Sequence, residues 1–145
     1  MAFIQTVLLN KAVTIPILAW FIAQSIKVIT AVIKEKKMDF TWFVSSGGMP
    51  SSHSSYTVSL AVVIGRIYGC DSGLFALSIA FAFIVMYDAA GVRRAVGKQA
   101  KVLNKLVHSH LDRIEFEGKL KELLGHTPSE VFMGAILGAV LGLWL

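Results

Sequence analysis

The chain has 145 residues, and 55% of them are hydrophobic, which gives a mean hydropathy of +0.67. This length predicts a single domain over residues 1–145, and so apolar a composition excludes a soluble domain of that size. The net charge of +5 predicts surfaces beside the membrane that face anionic lipid, rather than a nucleic-acid partner. We therefore expect an all-α integral membrane protein.

Four apolar segments are predicted to be transmembrane helices. They cover residues 12–33, 54–68, 73–90 and 128–145. Several are shorter than the roughly 20 residues that about 30 Å of hydrocarbon requires, so neighbouring polar turns are expected to dip toward the membrane core. Lys27 interrupts the first segment, and a cation within a span is expected to face the bundle interior.

The polar stretch between the third and fourth segments, residues 93–124, is predicted to be an amphipathic helical connector. Apolar residues recur there at helical spacing, as at Val96 and Leu103, which predicts one or two helices on the cytoplasmic membrane surface. The same stretch contains His108 and His110. Two residues apart on a helix they point to different sides, so we expect surface histidines and no metal site.

Lys and Arg residues are distributed unevenly among the loops, and this predicts the orientation of the chain. Eleven lie in the loops after the first and third segments, whereas Lys11 and Arg66 remain on the other side. The positive-inside rule therefore places both basic loops in the cytoplasm and both termini outside. In this topology the candidate reactive residues described next lie at the cytoplasmic face of a membrane of the bacterial plasma-membrane type.

A Gly- and Ser-rich turn, residues 47–52, leads directly to His53 and the second apolar segment. Glycine lets the backbone approach a ligand closely, and the first amides of the following helix are unpaired, so this turn suits a phosphate group. Ser51 and Ser52 are the predicted phosphate-binding residues of the turn. Four cations from other segments are predicted to complete the phosphate site: Lys27, Lys34, Arg93 and Arg94.

His126 and Glu130 lie four residues apart at the start of the last apolar run. A carboxylate that accepts a hydrogen bond from one ring nitrogen fixes the histidine tautomer and stabilises the imidazolium that forms. His126 is therefore the predicted nucleophile that attacks phosphorus, and Glu130 is the group that orients it. His53 is predicted to be the general acid that protonates the leaving oxygen.

Two of these patterns resemble a known superfamily. The run from Pro50 to His53 and the pair His126 and Glu130 resemble the second and third signatures of the type 2 phosphatidic acid phosphatase superfamily, which includes the vanadium haloperoxidases. Together with residues 87–94, they are more closely similar to its small divergent membrane branch, over nearly the whole chain from residue 24 onward. The resemblance implies that His126 is the nucleophile and His53 the acid.

The chain departs from the superfamily signatures at several positions. Lys34 stands where the first signature has an arginine, which implies a weaker or differently built phosphate grip. Roughly 30 residues separate Arg94 from His126, whereas the usual signature has only a few, so only tertiary folding can bring them together. Ser52 replaces a glycine, and Glu130 replaces an aspartate.

Asp88 lies late in the third apolar segment, where an ionised carboxylate is costly unless it is paired. An ion pair that orients Arg93 or Arg94 is the predicted role. A metal ligand or an acceptor for substrate hydroxyl groups is the alternative.

These residues predict a metal-independent phosphatase, without a cofactor, that hydrolyses a phosphomonoester on a membrane lipid such as phosphatidylglycerophosphate or phosphatidate. The reaction would pass through a phosphohistidine. Polyprenyl phosphates or diphosphates are alternative substrates. A non-catalytic lipid-phosphate binder or transporter, and a small structural subunit, are alternative functions. The limited self-burial of four short helices also predicts a homodimer.

Overall fold

The computed structural model describes residues 2–35, 47–109, 120 and 124–145. The described residues form six helices: α1 (Ala2–Leu9), α2 (Lys11–Glu35), α3 (Ser52–Tyr68), α4 (Gly73–Ala90), α5 (Val92–Ser109) and α6 (Pro128–Trp144). No strand occurs in these ranges, so the all-α prediction is confirmed for the described part of the chain.

The helix boundaries lie close to those of the predicted apolar segments. α4 has the predicted bounds, and α2, α3 and α6 each begin and end within two residues of the prediction. The sequence patterns did not anticipate α1. α5 covers the first part of the predicted connector, whereas residues 110–119 and 121–123, including His110, lie outside the described residues.

Two described stretches are long and apolar enough to cross a membrane, Lys11–Ile33 and Gly73–Val107. α6 is apolar but has 17 residues, and the 17 residues of α3 include several serines. At 1.5 Å per residue, α3 and α6 are each about 26 Å long, slightly shorter than a typical hydrocarbon core. These lengths fit a membrane-embedded bundle, and the count of four spanning helices stays a prediction.

α3 lies at the centre of the bundle and packs against α2, α4 and α6. Its serines are accommodated there by local hydrogen bonds. The Ser59 hydroxyl donates to the carbonyl of Tyr56 at 2.9 Å, and the Ser55 hydroxyl donates to the carbonyl of Ala19 in α2 at 3.2 Å. A central helix of this composition depends on such partners because a polar group buried without one is costly.

α3 and α6 are in close backbone contact along a stripe of small residues. Gly134 and Gly138 lie four residues apart on α6, and a Cβ atom added to either would collide with the carbonyl oxygen of Ser51 or Ser55, respectively. Small residues at this spacing let two helices approach closely, as in membrane helix pairs. The stripe therefore fixes the position of α6, and with it the residues at the start of α6, relative to α3.

Two cations mark one end of the bundle. The guanidinium of Arg66, near the C-terminal end of α3, donates to the carbonyl of Gly142 at 2.5 Å, and the ammonium of Lys11 donates to the carbonyl of Leu145 at 3.1 Å. Both bonds satisfy carbonyls at the C-terminal end of α6, where cations are favourable. The starts of α3 and α6 and the end of α4 therefore lie at the opposite end of the bundle.

Candidate active site

His126 precedes α6, and its segment is bound to the end of α4 and to α5. The backbone N–H of His126 donates to the carbonyl of Ala89 at 2.9 Å. Gly125 has a φ of 80°, and a Cβ atom there would collide with the backbone N of Arg94. Only glycine combines this conformation with so close an approach. The contact brings the arginines of the α4–α5 junction beside His126 despite their separation in sequence.

A side chain of α5 holds the beginning of the same segment. The Asn104 carboxamide donates to the carbonyl of Leu120 at 2.9 Å and accepts from the backbone N–H of Leu120 at 3.0 Å. Asn104 is buried within the structure. The paired bonds fix the backbone at residue 120, six positions before His126.

Glu130 connects the start of α6 to the ring of His126. The Thr127 hydroxyl and the Glu130 carboxylate form a capping box, in which Glu130 Oε2 accepts from the backbone N–H of Thr127 at 3.0 Å. The same Oε2 atom lies 3.2 Å from Nδ1 of His126. The cap therefore holds the carboxylate where it can accept a hydrogen bond from Nδ1–H of His126, and a neutral ring with the proton on Nδ1 has a lone pair on Nε2.

His53 is the second residue of α3, which begins against α6. Ser51 caps α3, and its backbone N–H donates to the carbonyl of Glu130 at 2.9 Å. Before this cap, the Met49–Pro50 peptide bond is cis, and Gly48 has a φ of 95°. A Cβ atom at Gly48 would lie 3.1 Å from the side-chain Cγ atom of Lys27, so the turn lies directly over the stem of that lysine.

The fold brings the two imidazole rings together from opposite halves of the chain. The ring centroids of His53 and His126 are 5.8 Å apart, and the ring planes are inclined by 65°. Within the described residues, Nδ1 of His53 and Nε2 of His126 are buried and make no side-chain hydrogen bond, and the backbone of Gly48 lies close enough to His126 to act on its ring. Most buried polar atoms in native structures have a partner, and a catalytic or ligand-binding role is one explanation for those that do not.

The predicted phosphate-binding cations are placed unequally around the rings. Lys27 is buried and near enough to both histidines to act on them electrostatically, and Arg93 acts in the same way on His53. Arg94 is half-buried and lies against Gly125 through its backbone. The side chain of Lys34 lies outside the described residues. Ser51 and Ser52 are both buried at the start of α3.

Asp88 forms an ion pair with Arg93. Its Oδ2 atom lies 2.6 Å from Nε of Arg93, and the two side chains are 39% and 46% exposed. The predicted pairing with an arginine of the α4–α5 junction is therefore present, and it engages Arg93. No group of three or more potential metal ligands lies together in the described residues, and the two alternative roles of Asp88, as a metal ligand or as an acceptor for substrate hydroxyl groups, stay predictions.

A cavity of about 420 Å³ opens beside His53, between α2, α3 and α4. Its polar residues are His53, Thr57, Asp88 and Arg93, and its wall includes Trp20, Tyr56, Phe81, Ile84 and Val85. The sequence analysis did not identify this wall, since neither a repeat nor a motif marks it. His126 does not line the cavity, because its side chain is fully buried.

The surroundings of His126 favour the neutral ring. Burial lowers its pKa below the ordinary value of 6.5, and the charge of Lys27 lowers it further. The hydrogen bond and the charge of Glu130 oppose this shift, as does the backbone of Gly48. Because burial is the largest of these effects, His126 is neutral at neutral pH, which is the form that can attack an electrophile.

The sequence pattern described as the Divergent PAP2 family matches residues 8–141. The chain belongs to this family. It is also 45% identical over 135 residues, 85% of each chain, to a Bacillus subtilis (strain 168) protein described as "Uncharacterized membrane protein YuiD". No solved structure matches the chain. The predicted resemblance to the superfamily is therefore confirmed. The relative from Bacillus subtilis is described as a membrane protein, which agrees with the apolar composition of this chain.

Proposed function

We propose that this protein is a membrane phosphatase that hydrolyses a phosphomonoester on a lipid, with His126 as the nucleophile. The observation that carries the proposal is the pairing of His53 and His126, whose ring centroids are 5.8 Å apart, with the carboxylate of Glu130 beside Nδ1 of His126. A nucleophile, an orienting carboxylate and a second imidazole are the groups that a phosphohistidine mechanism requires. Family membership supports the same reaction class.

The first half of the reaction forms a bond between Nε2 of His126 and phosphorus. The bond between phosphorus and the ester oxygen breaks, and His53 gives a proton to the leaving alkoxide. Glu130 stabilises the positive charge that develops on the ring of His126. In the second half, His53 takes a proton from water as the water oxygen attacks phosphorus, and the bond to Nε2 breaks to release phosphate.

The phosphate oxygens would be held by cations and by the start of α3. Lys27 and Arg93 both act electrostatically on the site, and Asp88 orients Arg93 through its ion pair. The amides and the two serines at the start of α3 add donors where negative charge increases during the reaction. We assign Arg94 and Lys34 to the same phosphate group, and no step in this scheme needs a metal.

The cavity supports a lipid as the substrate. His53, Asp88 and Arg93 give the cavity a polar end, while the remaining wall, apart from Thr57, is aromatic or aliphatic. Phe81 and Ile84 line the cavity and are also 48% and 68% exposed on the outer surface of α4, so the apolar wall continues onto the outside of the bundle. An amphiphile with a phosphate headgroup and an apolar chain matches both ends. Phosphatidylglycerophosphate and phosphatidate satisfy this description.

We propose further that residues 1–145 form one membrane-embedded domain with four spanning helices, and that α5 belongs to a cytoplasmic connector. The excess of Lys and Arg in the loops at the site end supports a cytoplasmic active site.

A non-catalytic lipid-phosphate binder is the second candidate, and the burial of His126 favours it. The ring has no exposed side-chain surface, and it does not line the cavity. Catalysis therefore requires a shift of the His53 side chain or of the 47–50 turn before phosphate can reach Nε2. The geometry of a free enzyme does not by itself rule out a catalytic residue, because catalytic contacts often form fully only when substrate is bound.

The purified protein, assayed in the presence of a chelator against a panel of lipid phosphates, tests the proposal. The panel contains phosphatidate, phosphatidylglycerophosphate, and a polyprenyl phosphate and diphosphate. We expect phosphate release from at least one of them, and its loss in His126→Ala and His53→Ala with lipid binding retained. Binding without release from any substrate would favour the non-catalytic alternative. Thermal unfolding of both variants in detergent distinguishes lost chemistry from lost structure.

A further inference from the structure

α5 differs from the other helices in its charge. It contains five Lys or Arg residues and no Asp or Glu. The side chains of Lys98, Lys101 and Lys105 are exposed, and their spacing of three and four residues puts them on one face of the helix. This face is called the cationic face below.

A second face of α5 is apolar and exposed. Five residues form it: Val92, Val96, Val102, Leu103 and Leu106 are 57%, 45%, 57%, 48% and 52% exposed, and at about 100° per residue they cover one side of the helix, with Val102 next to Lys98 at the border of the cationic face. This apolar face points away from the side that holds the site. The inward side consists instead of Gly97, Ala100 and Asn104, which are buried, and Asn104 binds the segment leading to His126.

The arrangement of the three faces identifies the surface that α5 contacts. Exposed apolar side chains beside a row of lysines are the pattern of a helix that lies in the membrane interface, with its lysines over anionic headgroups. α5 also follows directly from α4, whose exposed residues Phe83 and Tyr87 extend the apolar surface toward it. A neutral or cationic partner would leave the lysines without opposite charge.

We propose that α5 lies on the surface of an anionic bilayer, in the same membrane that holds the bundle, with its apolar face in the interface and the lysines of its cationic face at the water side of the headgroups. The inward face of α5 carries Asn104, so membrane binding would also fix the helix that holds the His126 segment. The proposal concerns the contact of α5 with lipid, and it stands whether or not the site is catalytic.

Fluorescent labels on the two faces test this contact in the full-length protein. Cys70 is replaced (Cys70→Ser), and an environment-sensitive fluorophore is attached at Leu103→Cys or Val96→Cys, with Lys101→Cys as the control on the cationic face. The protein is reconstituted in phosphatidylcholine vesicles with and without phosphatidylglycerol. In the anionic vesicles we expect nitroxide-labelled lipid to quench the labels at 96 and 103, and aqueous iodide to quench the label at 101.

Neutralising the lysines tests the part played by charge. Lys98→Gln and Lys105→Gln are each expected to lower the ratio of lipid-quenched to iodide-quenched label at 103 about fivefold in anionic vesicles, and to change it little in phosphatidylcholine alone. Labels at both 96 and 103 that iodide quenches in every vesicle would overturn the proposal. So would labels shielded from both quenchers, since that result would indicate a second copy of the chain on this face.

Discussion

The carboxylate of Glu130 has two neighbours at once. It accepts from the backbone of Thr127 to complete the cap of α6, and it lies against Nδ1 of His126. The helix start and the predicted nucleophile therefore depend on a single side chain. Glutamine at this position can retain both hydrogen bonds, since the capping box accepts Glu or Gln, but it removes the charge.

The pH dependence of the reaction follows from the environment of His126. Burial and Lys27 lower the pKa of His126 below 6.5, so the acid limb of phosphohistidine formation is expected below pH 6.5. The unfolded chain then binds the proton at a higher pH than the folded chain. The free energy of unfolding therefore falls as the pH drops from about 6.5 toward the folded pKa.

Two variants should move this limb in opposite directions. Glu130→Gln removes a charge that raises the pKa of His126, so the limb moves to lower pH, whereas Lys27→Gln moves it to higher pH. Rates of phosphoenzyme formation, measured across the acid range by rapid quench, provide the check. Equal profiles in both variants would contradict the assigned electrostatics.

The pair of Asp88 and Arg93 predicts a change in substrate binding. Because both side chains are partly exposed, their attraction is expected to be worth only about 0.2–1 kcal/mol. Asp88→Asn should therefore raise KM up to about fivefold, with kcat little changed, if Arg93 holds the phosphate in both ground and transition states as proposed. In an Arg93→Gln background the same substitution should have no further effect. An equal rise of KM in both backgrounds would show that Asp88 acts independently of Arg93.

At the scale of the elements, the contact between α3 and α6 determines where the two histidines lie. His53 follows the start of α3 and His126 precedes α6, and the Gly134–Gly138 stripe holds these helices in contact. Any widening of this contact would separate the rings.

Substitution within the stripe should destabilise the protein. In Gly138→Ala the new Cβ atom collides with the carbonyl of Ser55, and we expect a loss of about 1–3 kcal/mol, as for other overpacked sites. Gly73→Ala is the control, because Gly73 is the first residue of α4 and no atom lies within 4 Å of the Cβ atom that the substitution adds. Thermal unfolding in detergent compares them. Equal midpoints for the two variants would contradict the role given to the stripe.

At the scale of the whole molecule, the candidate residues and the turn between α3 and α4 lie at opposite ends. Cys70 lies in that turn and is exposed. If the active site faces the cytoplasm, Cys70 faces the outside. Because Cys70 is the single cysteine of the chain, labelling its thiol can show on which side of the membrane this turn lies.

Labelling of intact cells tests the orientation. A membrane-impermeant maleimide should modify Cys70 from outside, whereas a cysteine at Lys98→Cys, in a Cys70→Ser background, should react only after permeabilisation. The reverse pattern would place the active site outside the cell and would contradict the positive-inside assignment.

The sequence predicted the helices well because their determinants are local. Apolar length and capping residues such as Ser51, Ser72 and Thr127 determine where α3, α4 and α6 begin. The capping box of Thr127 and Glu130 could also have been recognised from its spacing. In contrast, the wall of the cavity could not, because Trp20, Tyr56 and Phe81 come from three helices and meet only through packing.

Within the site, sequence reasoning proposed which residues belong together, and the fold adds how close they come. The positions of Arg94 and His126 in the sequence do not indicate that the two residues lie close together. The contact of Gly125 with the α4–α5 junction brings their segments together. The side chain of Lys34 and the residue His110 lie outside the described residues, so the predicted phosphate contact of Lys34 and the predicted surface location of His110 stay predictions.

The central claim is that His126 carries phosphate during turnover. Rapid acid-free quench of the reconstituted protein with a lipid bearing labelled phosphate, followed by peptide mapping, measures it directly. We expect acid-labile, base-stable label on His126, absent in His126→Ala and formed more slowly in His53→Ala. Release of phosphate at full rate with no label on His126, or with label on another residue, would contradict the account.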